Sequence, residues 1–416
     1  MKRILIICCT FPPSSYVGGL RPAMFAKYLP EFGWEPTILT RDWPDGDPRA
    51  DRKLDLPWAS NKFPVHRVLI STAQEQQSLM ARTLFEFCRD FFCPDYAYPP
   101  GNLERMVKYA ISNDLGGPFD VVLGTTPDMW PITLARRLAK HGGCPWVADF
   151  RDVAEQNKNI GGFRTWLLIN RFIFRRNFLL RTAGVVLVVS RKHAEWMQNQ
   201  YSGGIETIYN GYDADLFENS EPLARTEKFS IVYMGRLLNE EHRNPTLLYQ
   251  ACDILCERIP DFKKNLSVDF YGAEPELVNK LSSIYECRSA IKIHPRVAYQ
   301  KVPDILKKSC VLLVLVNSID KGILTTKLFE YLPIGRPILC VTGDRGEIDQ
   351  FLKVMRAGKS IASIDQMVLT LENWYHQWLK DGSATSQGDM QRIRQFTRRN
   401  QTSRLAEILD MVVERR

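Results

Sequence analysis

A chain of 416 residues, 45% apolar and 25% charged, has the composition of a folded globular protein and is long enough for two or three cores rather than one. No apolar run approaches the roughly 20 residues of a membrane span, the ten cysteines are scattered without a Cys-x-x-Cys pair, and the six histidines stand isolated; this argues against a spanning protein, a disulfide framework and a His/Cys metal centre. The net charge of +8 lies almost wholly in the first half, where residues 1–205 hold 26 Lys+Arg against 19 Asp+Glu and the remainder 29 against 28, so nucleic acid, anionic lipid or a phosphorylated substrate can each account for it.

The chain opens with Met1-Lys2-Arg3 and an apolar run from Ile4 to Cys9. That run has the flavour of a secretion signal, but it is too short and Phe11-Pro12-Pro13 follows it, so it reads as a buried strand with a turn after it. Strand-like runs recur at 3–9, 35–40, 65–69, 121–125, 146–149 and 184–190, then at 230–234, 266–271, 290–294, 311–316 and 337–341, with helical segments between them. Continuous apolar runs separated by helices predict parallel sheets covered on both faces, and two such blocks predict two doubly wound α/β domains. Cys8, Cys9, Cys310 and Cys340 lie inside these runs, where cysteine behaves as a small hydrophobe, in keeping with a reducing cytoplasm. A polar stretch at 206–226, holding Asn210-Gly211-Tyr212-Asp213, marks the hinge. A polar linker at 381–388 precedes a last helical segment, about 388–414, long enough to reach back across a domain boundary. The expected division is 1–205, 206–386 and a returning helix at 387–416.

Open parallel sheets bind ligands beyond the carboxyl ends of their strands. Four loops qualify. The first carries Gly18-Gly19, whose backbone can approach a phosphate closely; it fits neither a dinucleotide nor a Walker pattern, and such a pair is often a plain turn. The second carries Asp149, Arg151 and Asp152, where a carboxylate can accept a proton, orient a sugar or cap a helix. The third carries Gly235-Arg236 and then Arg243; two guanidinium groups suit a diphosphate, or pair with Glu240 and Glu241 on the surface.

The fourth loop, 322–339, is the most specific. It reads as a polar turn, a short helix, a glycine stop at Gly335 and a buried strand. Thr325 and Thr326 offer cap hydroxyls, Lys327 falls at the helix start, and Glu330 follows one turn later. Such a set can grip a nucleoside diphosphate at one end and a ribose hydroxyl pair at the other. A surface Lys327–Glu330 pair at i,i+3, worth a few tenths of a kcal/mol, is the plainer alternative. Residues 163–182 carry five arginines, no acid and eleven large apolar side chains. Either an interfacial helix on anionic lipid or a core helix with a cationic edge looks like this. The aromatic stretch at 85–98 is a second membrane-facing candidate or a packed loop.

Taken in chain order, Phe11-Pro12-Pro13 with Gly18-Gly19-Leu20-Arg21, Asp149-Phe150-Arg151-Asp152, Val189-Ser190, Asn210-Gly211-Tyr212-Asp213, Gly235-Arg236 with Arg243-Asn244-Pro245, and Lys327-Leu328-Phe329-Glu330-Tyr331-Leu332 with Gly335-Arg336-Pro337-Ile338 resemble the family 4-like retaining glycosyltransferases of the GT-B fold. The resemblance implies two Rossmann-like domains facing across a cleft, with the acceptor on the first and a nucleotide-sugar held mainly by the second. By position, Glu330 would bind the donor ribose, and Lys327, Thr325, Thr326, Arg236 and Arg243 would hold the diphosphate. Gly18 and Gly19 would close over the phosphates; Asn210 and Asp213 fall in the hinge motif, with a possible donor contact. Three departures stand out. The first glutamate of the family's Glu-x7-Glu pattern falls at Gly322, the active-site histidine falls at Arg151, and Pro333 should shorten or bend the motif helix. Asp152 is therefore the candidate catalytic group.

The resemblance further implies same-face transfer of a hexosyl or N-acetylhexosaminyl group without metal or cofactor, the nucleotide-sugar being a co-substrate. The basic first half and Arg171, Arg175 and Arg176 as membrane-facing residues add a glycan or lipid-linked acceptor, in a bacterial surface-polysaccharide pathway, for a cytoplasmic protein peripheral on the inner membrane face. The alternatives are a sugar-nucleotide epimerase and a non-catalytic nucleotide-sugar-binding subunit of a membrane assembly. No motif that reads bases is present, so nucleic acid is not an expected partner.

Overall fold

All eleven strand-like runs form strands in the computed structural model, which describes residues 1–14, 17–43, 54, 56, 58–69, 101–113, 115–157, 162–218, 223, 225–240, 243–316, 322–343 and 346–415. The chain divides into two compact units, Met1–Tyr209 with Arg398–Arg416, and Asn210–Thr397. Against the expected boundaries near 205 and 386, the changeovers lie at 209/210 and 397/398, so the polar 381–388 linker belongs to the second unit.

The first unit is built on β1 (Lys2–Cys8), β2 (Trp34–Asp42), β3 (Val65–Leu69), β4 (Val121–Thr125), β5 (Trp146–Phe150), β6 (Val185–Val188) and β7 (Ile205–Thr207). They pair in parallel in the order β3-β2-β1-β4-β5-β6-β7. Its principal helices are α1 (Leu20–Tyr28), α2 (Asn102–Ser112), α3 (Trp130–Gly142), α4 (Phe163–Leu180) and α5 (Arg191–Gln198). Strands β4, β5 and β6 are buried at every position, which is why they read as unbroken apolar runs rather than alternating ones. The last helix of the chain, Arg398–Glu414, belongs to this unit. It is tied to it by Lys2 and the indole N–H of Trp34, both bonded to Asp410 (2.9 and 3.2 Å), and by Arg399 to Glu31 at 2.6 Å.

The second unit is built on β8 (Phe229–Met234), β9 (Leu266–Tyr271), β10 (Ile291–His294), β11 (Val311–Leu315), β12 (Ile338–Val341) and β13 (Gly358–Ile361), parallel in the order β10-β9-β8-β11-β12-β13. Its principal helices are α6 (Thr246–Arg258), α7 (Pro275–Ser282), α8 (Thr326–Tyr331), α9 (Glu347–Met355) and α10 (Ile364–Asp381). Phe229, Phe262, Tyr375 and Trp378 lock α10 onto the sheet, the closest pair being Phe262–Tyr375 with centroids 4.8 Å apart. No helix among the described residues is long and apolar enough to cross a membrane.

Both sheets are doubly wound: strand order reverses between β1 and β4 in one and between β8 and β11 in the other. Each reversal leaves a crevice at the carboxyl ends of the strands. The Gly18-Gly19 loop follows β1, and Arg151 and Asp152 follow β5. Gly235-Arg236 follows β8, and the 322–339 motif follows β11.

Candidate active site

In the second unit the sequence-predicted cations meet. Gly235 leaves β8 with φ +125, a backbone region that side chains rarely adopt, and its N–H donates to the Tyr271 carbonyl at 2.7 Å. A Cβ there would stand 2.5 Å from Cε and 2.8 Å from Nζ of Lys327. Glycine therefore lets the lysine of α8 cross the end of β8. The Lys327 ammonium rests 5.3 Å from the Tyr233 ring centroid, and the Tyr331 hydroxyl accepts from Met234 N–H at 3.1 Å, fixing α8 to β8. Lys327 keeps some exposed surface, but protein atoms crowd its ammonium. Burial, with the nearby Arg243 charge second and only partly offset by Glu330, lowers its pKa from 10.5 to about 7. An ammonium held this way is short of a counter-charge.

Arg236 and Arg243 do not use Glu240, which pairs with Lys280 instead, and Glu241 lies outside the described residues. Arg243 Nη1 and the Tyr233 hydroxyl both donate to the Arg236 carbonyl at 2.8 Å. Arg236 Nε donates to Glu274 Oε1 at 2.7 Å, and Glu274 Oε2 accepts from Leu237 N–H at 2.8 Å. Burial alone would raise the Glu274 pKa, but the bonds from Arg236 and the backbone outweigh it and hold the carboxyl below its usual value. The Arg236 side chain is 70% exposed, so this pair is worth at most about 1 kcal/mol and the guanidinium is available to an incoming anion. Glu274 lies outside every motif the sequence offered.

The motif helix is short, as Pro333 required: α8 ends at Tyr331, a 3-10 turn runs over Leu332–Ile334, and Gly335 closes it with φ +78. Thr325 occupies the N-cap position but caps nothing; its hydroxyl is buried without a partner. Thr326 opens the helix. Glu330 is 8% exposed and accepts from the Tyr299 hydroxyl at 3.0 Å, while the Tyr299 ring packs edge-on against Phe217 at 6.1 Å. A surface Lys327–Glu330 pair is thus not what forms. Gly322 holds φ +87, so a glutamate there would strain the backbone. Asp213 is buried before a single helical turn, Ala214–Phe217, and Asn210 is half-buried nearby in sequence.

In the first unit Gly18 and Gly19 end a 3-10 turn, Val17–Gly19, that leads into α1. Arg151 supports this turn. Its Nη1 donates to the Gly18 carbonyl at 2.7 Å, its Nε to the Thr126 carbonyl at 2.7 Å, and its backbone N–H to Thr126 Oγ1 at 3.0 Å. A Cβ on Gly18 would lie 2.8 Å from that guanidinium. The residue at the expected histidine position is therefore a strut under the glycine turn, not a free base. Asp149 is fully buried in a bidentate bond with Arg21 (3.0 and 2.9 Å) and accepts from Thr125 Oγ1 at 2.7 Å, a structural role. Asp152 is exposed on the loop after β5. Sequence reasoning missed His193: it is fully buried on α5, neither ring nitrogen has a partner, and burial pushes its pKa down to about 4 against the pull of Asp152 and Glu155.

One expected membrane-facing residue is corrected. The Arg176 side chain is 1% exposed and grips Glu155 through two bonds of 2.8 and 2.7 Å, so it points into the unit. Arg171 and Arg175 are half-buried on the same helix. The 85–98 stretch lies outside the described residues.

Residues 18–211 match the sequence model described as a glycosyl transferase 4-like domain. That match covers the Gly18-Gly19 turn, the Asp149–Asp152 loop, α4 and His193. Comparison with curated protein sequences gives no match. Solved structures similar over nearly the whole chain include a glycosyltransferase from Rickettsia africae ESF-5 (14% identity, TM-score 0.65, covering 100% of this chain and 99% of that one) and Anabaena HepE in complex with UDP-glucose (13%, 0.66, 99% and 100%). The sucrose-phosphate synthase of Thermosynechococcus elongatus is a third (13%, 0.62, 100% and 97%). At such identities the likeness speaks for the fold: two Rossmann-like α/β units of the GT-B type.

Proposed function

We propose that the protein is a retaining glycosyltransferase that takes a hexosyl or N-acetylhexosaminyl group from a nucleotide-sugar held by the second unit. The observation that carries this reading is the convergence of Lys327, Arg243 and Arg236 with the unpartnered Thr325 hydroxyl and the buried Glu330 beyond β8 and β11. The diphosphate would meet the cations and the Thr325 and Thr326 hydroxyls, and Glu330 would accept from the ribose hydroxyls. As the sugar–phosphate bond breaks, negative charge grows on the leaving diphosphate, and preorganised cations with little water around them stabilise it without a metal. Lys327 suits this role because an arriving anion offsets, by charge attraction, the penalty that burial imposes on its ammonium. In the first unit Gly18 and Gly19 would offer their backbone N–H groups to a phosphate and Asp152 would orient or deprotonate the acceptor hydroxyl; in the second, Asn210 and Asp213 would serve the hinge or the donor.

The family match and the solved neighbours support glycosyl transfer, and the UDP-glucose bound by Anabaena HepE illustrates the donor class. We take the acceptor to be a glycan or lipid-linked glycan of bacterial surface-polysaccharide synthesis, met at the cytoplasmic face of the cell membrane. The test begins with a panel of nucleotide-sugars scored by calorimetry. Glu330→Ala should then weaken the best binder at least tenfold, and Asp152→Asn should cut donor turnover while leaving donor affinity in place. Unchanged affinity in Glu330→Ala would remove the donor-site assignment; wild-type turnover in Asp152→Asn would remove that residue from the chemistry.

A further inference from the structure

Helix α4 turns the wrong chemistry outward for a protein surface. Phe163 is 77% exposed, Trp166 49%, Leu167 43%, Phe174 72% and Phe178 57%. Every exposed phenylalanine and tryptophan among the described residues is on this one helix. At 100° per residue these five positions share an arc of about 120°. The adjoining arc, about 160–280° from Phe163, holds Ile173, Arg176, Leu179 and Leu180, all buried, and is satisfied by the Arg176–Glu155 pair. Among the described residues the helix therefore has its inner face filled and its outer stripe bare. Phe163 and Trp166 stack at 5.8 Å, making one continuous aromatic end.

The charge that the helix itself carries has a single sign. Arg171 and Arg175 lie along its flank, and the exposed Arg181 places its guanidinium 5.2 Å from the Phe178 ring centroid at the far end. The helix carries no acidic residue. A second copy of the same face would set arginine against arginine, whereas an anionic bilayer offers hydrocarbon to the rings and phosphates to the guanidinium groups that reach back to the headgroups.

We propose that α4 docks the protein on an anionic lipid bilayer, led by Phe163, Trp166, Phe174 and Phe178 and flanked by Arg171, Arg175 and Arg181. This gives the membrane contact of the preceding reading a definite place and changes its chemistry: the aromatic stripe enters, and the arginines confer preference for anionic lipid. It stands or falls apart from the donor site.

The test uses the full chain with vesicles of phosphatidylcholine alone and of phosphatidylcholine mixed with phosphatidylglycerol. Wild-type protein should float with the mixed vesicles, and Phe174→Ser/Phe178→Ser should lower its partition coefficient at least tenfold. Both residues point to solvent, so the double variant should keep its thermal transition and its nucleotide-sugar affinity, which separates failure of docking from failure of the donor site. Arg175→Glu should remove much of the preference for phosphatidylglycerol. Flotation of the double variant like wild type would overturn the proposal. So would a wild-type protein that ignores mixed vesicles and instead sediments as a dimer broken by the two serines.

Discussion

Raising the pH should weaken nucleotide-sugar binding through Lys327, and the slope can be worked out in advance. Burial, then Arg243, lower its pKa from 10.5 to about 7 in the free protein, while a bound diphosphate would supply the missing counter-charge and hold the ammonium protonated. Binding should then take up about 0.1 proton at pH 6, about 0.5 at pH 7 and about 0.9 at pH 8. Affinity should then fall about fivefold from pH 7 to pH 8 and approach a tenfold loss, about 1.4 kcal/mol, for each further pH unit. The diphosphate of a nucleotide-sugar has no group titrating in this window, so the proton is the protein's. Calorimetry at pH 8 in two buffers of different ionisation enthalpy measures the uptake directly, and Lys327→Met removes it while keeping most of the side chain's bulk. Equal apparent enthalpies in both buffers, or the same pH slope in Lys327→Met, would refute the reasoning. The fold feels the opposite sign. Because the folded pKa is depressed, the unfolded chain binds more protons between about 7 and 10.5, so the Lys327 contribution to stability rises with pH across that window. The rise in urea midpoint should be smaller in Lys327→Met.

Three further outcomes follow from the geometry. Gly235→Ala places a methyl against Lys327 at a positive φ and should cost about 1–2 kcal/mol in stability while weakening donor binding as much as Lys327→Met; wild-type affinity would show that the crossing lysine does not touch the donor. Tyr299→Phe removes one hydrogen bond to Glu330, about 0.5–1.5 kcal/mol, and should weaken donor binding by up to about tenfold in calorimetry. Asp149→Asn leaves Arg21 buried without its charge partner and should lower stability by about 3–5 kcal/mol in denaturant titrations, with donor affinity per folded molecule unchanged.

Much of the fold is legible in local pattern, and the exceptions have a common cause. Strands buried on both faces, such as β4 with Val121-Val122-Leu123-Gly124-Thr125, announce themselves by apolar runs. Strands β7 and β13, Ile205-Glu206-Thr207 and Gly358-Lys359-Ser360-Ile361, do not, because they sit at sheet edges, bond on one side only and tolerate polar residues. The final helix is visible as a helical segment, but its start is ten residues later than the pattern indicates, after short turns at Met390–Ile393 and Arg394–Phe396.

For the site, sequence by itself determined which residue types stand at the carboxyl ends of strands. Lys327, Glu330, Arg236, Arg243 and the glycines of both crevices are all there because α/β alternation dictates where strand-end loops fall. Tertiary structure alone decided what those residues face. It drew Glu274 and Tyr299 onto Arg236 and Glu330 from 38 and 31 residues away, ran Lys327 over Gly235, and made Arg151 a strut where a histidine was looked for. It also split the arginines of α4, sending Arg176 inward to Glu155 and leaving the aromatic stripe outside. Helical period records which residues share a face, but a face becomes inner or outer only when a partner such as Glu155 packs against it, and that partner is set by chain crossings that no local pattern encodes.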